Sequence, residues 1–345
     1  MVVLPPPFRD IPRVQLLYPR PADIEHLSRL TKSLDSRASL WILRDDCNSG
    51  LSFGGNKVRK LEYVLADALE QGADTLLTTG GIQSNHMRQT SAAAARLGLK
   101  VSFCIFEDAA GQAVKSADAE YNYAGNIQIN GILGAVTFPA GTSQDEALTI
   151  LKERGQKPYP IPSGASTHPL GGLGYARWAF EVLEQEARLG TSFDVIVVAL
   201  GSGSTLGGMV AGFKLAQKLG RPGAKKRLIG FSILNESADK AADLVLGIAR
   251  TTASHIGLEP NEISREDFEV DISFLGGVYG RLDDVTAEGI KELGRLEGVL
   301  TDPVYTGKAF TGLLHTAKAG GYDGKNVLFC HTGGQPALSA YPNLK

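Results

Sequence analysis

Apolar residues recur along the chain with two periods that take turns. Ser39-Leu40-Trp41-Ile42-Leu43, residues 75–79, 101–106 and Val195-Ile196-Val197-Val198-Ala199-Leu200 are apolar runs bounded by polar turns, the pattern of strands buried on both faces. Between them Leu61, Val64, Leu65, Ala68 and Leu69 follow helical spacing, and that period predicts further helices about 85–97, 119–133, 143–154, 175–188, 205–219, 240–256, 287–297 and 308–319. Shorter apolar runs add strands at 135–138, 159–161, 227–232 and 326–330. Strand and helix alternating through short connections predict an α/β protein built on doubly wound parallel sheets. The first forty residues differ: six prolines punctuate irregular chain there, with one short helix predicted about 22–34 behind Pro21.

Length and charge narrow the reading. The 345 residues suffice for about two domains, and the glycine-rich stretch from Ser163 to Gly174 marks the expected crossover between them. With 35 Lys and Arg against 37 Asp and Glu, the net charge of -2 leaves no cationic excess for nucleic acid or an anionic membrane. The longest apolar run is too short to span a bilayer. Cys47, Cys104 and Cys330 form no CxxC pair, and Cys330-His331 lacks a second ligand pair, so neither a disulfide framework nor a metal is expected. The start of the chain lacks the basic and apolar regions of a secretory signal, which makes the cytoplasm the expected location.

The 41 glycines cluster after apolar runs and before helices, and four clusters carry chemistry. In Gly54-Gly55-Asn56-Lys57 a lysine stands at a helix start, where the positive end of the macrodipole disfavours its charged form and suits it to Schiff-base chemistry. Gly80-Gly81-Ile82-Gln83-Ser84-Asn85-His86 ends a strand and opens a helix. Its N–H groups, the Ser84 hydroxyl and the Asn85 amide form an anion cradle, although Ser84 also suits a helix cap and His86 a packed position. Gly201-Ser202-Gly203-Ser204-Thr205 follows the most apolar strand and suits a phosphate. A nucleoside-triphosphate loop would need Gly-Lys-Ser/Thr. A dinucleotide loop would need an acid at the end of the next strand, where Ser232 stands and Glu236 comes too late. Last come Asp302-Pro303-Val304-Tyr305-Thr306-Gly307 and His331-Thr332-Gly333-Gly334, polar turns beside core elements.

In this order the four clusters resemble the pyridoxal-phosphate (PLP) enzymes of the tryptophan-synthase-β fold type, specifically the family of 1-aminocyclopropane-1-carboxylate (ACC) deaminase and D-cysteine desulfhydrase. The resemblance runs from about residue 40 to the C-terminus. It implies two doubly wound domains with PLP in the cleft, residues 1–60 and 170–345 forming the large one and 61–169 a small inserted one. It further implies that Lys57 links to PLP beside Asn56, that Gly201, Ser202, Gly203, Ser204 and Thr205 hold the phosphate, and that Gln83, Ser84 and Asn85 hold the substrate carboxylate. ACC deaminases look like DPVYEGK and HLGG at the last two motifs, the glutamate lying near the pyridine nitrogen; this chain has Thr306 and Thr332 there. A hydroxyl beside that nitrogen makes a weaker electron sink than a carboxylate, which favours β-elimination from D-cysteine over opening the ACC ring. Tyr305, and Tyr279 in Gly277-Val278-Tyr279-Gly280, are candidates to shape the pocket or assist proton transfer to the leaving group. The expectation is therefore a PLP-dependent lyase acting on a small amino acid, as a homodimer, with ACC deamination as the alternative and a nicotinamide-dependent reductase as the rival from another class.

Overall fold

In the computed structural model, which describes residues 2–106, 119–234, 237–277 and 279–345, the alternating pattern closes into two sheets. Glu236 and Val278 lie outside the described residues. The larger sheet runs, in spatial order, β1 (Ile24–His26), β2 (Ser39–Leu43), β10 (Asn326–Cys330), β7 (Val195–Leu200), β8 (Arg227–Ser232) and β9 (Glu269–Asp271). The smaller runs β5 (Val136–Thr137), β4 (Lys100–Ile105), β3 (Thr75–Gly80) and β6 (Pro158–Ile161), all parallel.

Burial on both faces of β7 explains its unbroken apolar run. Ile196, Val198 and Leu200 pack under α6 (Leu173–Leu189), α7 (Ser204–Lys218) and α8 (Ala238–His255). Val195 and Val197 face α9 (Asp284–Glu297), α10 (Thr306–Lys318) and the short α1 (Ser28–Ser33) on the other side. The smaller sheet is covered on one face by α2 (Asn56–Glu70) and α3 (Asn85–Leu97), and on the other by α5 (Gln144–Glu153).

Two expectations need correction, and one strand goes unannounced in the sequence. The helix predicted at 22–34 is a strand followed by a helix: Ile24-Glu25-His26 pairs antiparallel with the free edge of β2, so the larger sheet is not wholly parallel. The helix predicted at 119–133 divides into a 3-10 turn, Ala119–Asn122, and α4 (Asn126–Ile132), because Gly125 at φ 68 breaks it. β9 has no apolar run to announce it; it is an edge strand whose Glu269 pairs with Arg227 of β8.

One buried ion cluster fixes α2, the lysine helix, against the larger sheet. Arg59 donates to Asp45 at 2.7 Å and to Glu181 of α6 at 2.7 Å, while the Tyr175 hydroxyl donates to Asp45 at 2.7 Å. Each carboxylate in it is paired, without which burial would be prohibitive. Gly208 and Gly212 let α7 approach α6 backbone to backbone, a Cβ at either running into Gly172 or Ala176, so the end of the glycine cluster at 201–208 serves packing.

Candidate active site

A cavity of about 330 Å³ opens where the carboxyl ends of β3 and β7 face one another. Loops outside the carboxyl ends of parallel strands are where ligands of α/β proteins bind. A larger cleft of about 540 Å³ lies beside α6, but its walls are mainly apolar and its Glu186 is engaged by Lys226.

Lys57 reaches the cavity from a loop that few sequences can form. Ser52, Phe53, Gly54 and Gly55 all have positive φ, at 44°, 69°, 63° and 123°. Asn48 braces the turn, accepting from Gly55 N–H at 3.0 Å and donating to its carbonyl at 3.1 Å. The Lys57 amine donates to Asn56 Oδ1 at 3.1 Å, and Asn56 Nδ2 donates to Thr205 Oγ1 at 3.1 Å, so one asparagine joins the lysine to α7. Burial pushes the amine down to about 8, with Asp302 holding it up and Arg88 pressing it lower.

At α7 the helix starts behind Gly203, at φ 96°, without a side-chain cap, so its first N–H groups are left for a ligand or water. Gly201, Ser202, Gly203 and Thr205 line the wall. Ser204 does not; its hydroxyl, like that of Ser202, bonds Ser166 Oγ, at 2.9 and 2.6 Å, which leaves Ser204 only its backbone to offer. Sequence reasoning missed Lys60. It lies one turn beyond Lys57 on the same face of α2, lines the cavity almost wholly buried, and has no carboxylate partner among the described residues. Burial, and secondarily the Lys57 charge, push it well below the usual lysine range. The i, i+3 spacing from Lys57 was the available signal.

At α3, Ser84 is the N-cap, accepting from Met87 N–H at 3.3 Å, and it also lines the cavity. Asn85 accepts from Asn126 Nδ2 at 2.9 Å, which leaves its own amide N–H groups to the cavity. Gln83 is not available. Its Nε2 donates to Tyr121 O at 2.7 Å and Ala124 O at 2.8 Å, its Oε1 accepts from Asn126 N–H at 2.9 Å, and it is fully buried away from the lining. Thr78 donates its hydroxyl proton to Ile161 O at 2.7 Å and so accepts from His86 Nε2 at 2.9 Å, leaving Nδ1 unprotonated. Burial, then Lys57 and Lys60, keep His86 well below the usual histidine range and hence neutral.

The two threonines part company. Thr332 lines the cavity, in a turn fixed by Gly333 N–H donating to His331 Nδ1 at 3.3 Å. Thr306 is fully buried outside it, donating to Asp302 Oδ1 at 2.6 Å. Asp302 also accepts from the N–H groups of Val304, Tyr305 and Thr306 at the start of α10. The hydroxyls of Tyr279 and Tyr305 meet at the cavity rim, and burial raises both phenols well above their ordinary range, so each keeps its proton.

Two lysines, two helix N-termini and no Asp or Glu among the described lining residues make this a site for an anionic ligand. The family model described as "Pyridoxal-phosphate dependent enzyme" matches residues 16–333. The chain belongs to that family. It is 43% identical over 333 residues to the 1-aminocyclopropane-1-carboxylate deaminase of Burkholderia ambifaria (strain ATCC BAA-244), covering 94% of this chain and 95% of the relative. It is 44% identical over 339 residues to the enzyme of that name from Burkholderia lata, covering 96% of each. Among solved structures, an ACC deaminase homologue superposes with a TM-score of 0.82 at 32% identity, covering 99% of this chain and 98% of the other.

The chain is thus a PLP-dependent enzyme of fold type II, in the family of the ACC deaminases. Its residues fit the cofactor. The uncapped start of α7 and the buried Lys60 amine, which a dianion beside it would hold protonated, suit a phosphate, and Lys57 is a partly neutral amine in the same cavity. Among the described residues no helix is long and apolar enough to cross a membrane.

Proposed function

We propose that the enzyme deaminates a small α-amino acid by β-elimination, D-cysteine plus water giving pyruvate, sulfide and ammonia. Bound PLP supplies a sink for the electron pair left when the α-proton departs. Lys57 serves as attachment point and, as a neutral amine, takes the α-proton. The backbone N–H groups at the start of α7, with Lys60, hold the phosphate; Ser84 and the Asn85 amide hold the substrate carboxylate. Tyr279 and Tyr305, which keep their protons, are placed to donate one to the departing sulfur.

The observation that carries this reading is that no Asp or Glu stands among the described residues of the cavity wall, which Thr332 helps to line. A lining without an acid would leave a bound ring nitrogen unprotonated, and that weaker sink would suffice for loss of a thiolate. The second reading is ACC deamination to 2-oxobutanoate and ammonia, and the names of the relatives reported above, aligned over nearly the whole chain, favour it. Sulfide and 2-oxo acid release from D-cysteine, L-cysteine and ACC, assayed side by side on the purified yellow protein, decides. Turnover of D-cysteine with little of ACC supports the first reading; the reverse establishes the second and shows that Thr332 does not weaken the sink enough to matter. The assembly this reading expects is a homodimer in the cytoplasm with only small-molecule ligands.

A further inference from the structure

The loop that presents Lys57 is held from α3, the helix whose first residues form the anion cradle. Arg88 of α3 is fully buried and pairs with no carboxylate among the described residues. Its guanidinium is instead directed at backbone and amide oxygens: Nη1 to the carbonyls of Ser52 and Gly54, Nη2 to Gly54 O at 3.4 Å, and Nε to Asn126 Oδ1 at 2.8 Å. Asn126 in turn donates from Nδ2 to Gln83 O and Asn85 Oδ1, each at 2.9 Å, and from its backbone N–H to Gln83 Oε1 at 2.9 Å. The neighbouring Gln89 accepts from Val58 N–H at 3.0 Å, a second tie between α3 and the start of α2.

Resting on the proposal that Lys57 carries the cofactor, we infer that Arg88 is a positioning residue: through Asn126 it couples the substrate-carboxylate cradle at Ser84 and Asn85 to the lysine loop at 52–55. Two observations require such a device. Ser52 and Phe53 hold positive φ without being glycine, a conformation that persists only where surrounding contacts over-determine it, and Arg88 supplies two of those contacts. A buried cation without a carboxylate is costly to keep, so its place in the fold answers to something other than ion pairing. Its charge also bears on Lys57: after burial, and against Asp302, which raises the amine, Arg88 lowers it, while Lys60, neutral His86 and the protonated phenols of Tyr279 and Tyr305 share the cavity with it.

The test uses the holoenzyme, with Arg88→Met, Arg88→Lys and Asn126→Ala. Borohydride reduction and peptide mapping of the unmodified enzyme first establish whether Lys57 is the labelled lysine. The pH midpoint of the visible band is then followed without substrate. Arg88→Met should raise it by about one pH unit, since a positive neighbour is lost. Arg88→Lys should keep the midpoint and still lose about tenfold in kcat, because an ammonium cannot bridge both carbonyls and Asn126. Asn126→Ala should leave the midpoint alone and raise KM about tenfold on whichever of D-cysteine or ACC is turned over. A purely structural Arg88 would lower the melting temperature without moving the midpoint. An unmoved midpoint in folded Arg88→Met overturns the inference, as does an unchanged KM in Asn126→Ala, which decides alone if Arg88→Met does not fold. If another lysine is labelled, the proposed site itself falls; if Lys57 is labelled and the variants are silent, only the coupling falls.

Discussion

The two helix N-termini that open on the cavity use the same dipole in different ways. α7 begins behind Gly203 with no side-chain cap, and Lys60, buried and without a carboxylate partner among the described residues, lines the same cavity. α3 begins behind Ser84, which already accepts from Met87 N–H, and its Asn85 is half committed to Asn126. An end without a side-chain cap keeps its N–H groups free for a resident anion. An end that caps itself can release its cap to a visitor and take it back. The difference supports the proposed roles, a permanent cofactor phosphate at α7 and a transient substrate carboxylate at α3.

Lys60→Met should have the largest effect and should strike the α7 end alone. Truncating one partner of a buried charge pair costs about 3 kcal/mol, or about 100-fold in retention of the cofactor. Equilibrium dialysis against free PLP measures it, with KM for the amino acid, once cofactor is saturating, staying near that of the unmodified enzyme. A variant that holds PLP as tightly as before would show that Lys60 faces something other than the phosphate.

Asn85→Ala should strike the α3 end alone, raising KM about tenfold while PLP retention is unchanged, because it removes hydrogen bonds that only the substrate completes. Equal damage to KM and to PLP retention would erase the distinction between the two ends.

Between them, Lys57, as the proposed attachment point, should make uptake of the cofactor depend on pH. Its amine, pushed down to about 8 chiefly by burial, attacks the aldehyde in its neutral form. The rate of PLP capture by the cofactor-free chain should therefore rise with pH and level off above that value, standing at about a tenth of its plateau at pH 7. A profile still climbing towards the ordinary lysine range would mean that the loop does not hold Lys57 as described.

Most of the fold was legible because parallel sheets write themselves as unbroken apolar runs: β7 could be read straight from Val195 to Leu200. β1 and β9 could not, since three-residue edge strands carry no period of their own. In the site, the lysine loop, Ser84 and the α7 glycines stand out because glycine at a helix start has few other uses. Gln83, Thr306 and Lys60 were misjudged or missed for one reason. Sequence places a residue on an element, but the side chain's direction is settled by partners distant in the chain: Tyr121, Ala124 and Asn126 for Gln83, the cavity wall for Lys60. Thr306 was aligned with Thr332 by motif alone, yet it turns inward to Asp302.

That last divergence gives the smallest effect and the cleanest contrast. Thr306→Val removes a hydroxyl that donates to Asp302 at 2.6 Å and accepts from Asp302 N–H at 3.0 Å, both inside the protein. It should cost about 1 to 3 kcal/mol of stability, seen as a lower melting temperature, with the ratio of D-cysteine to ACC turnover unchanged. Thr332→Val removes a hydroxyl that faces the cavity, so it should leave the melting temperature near its original value and change that ratio. If Thr306→Val shifts the substrate ratio instead, its side chain turns towards the ring when PLP is bound, and the argument for a weak electron sink must then count both threonines.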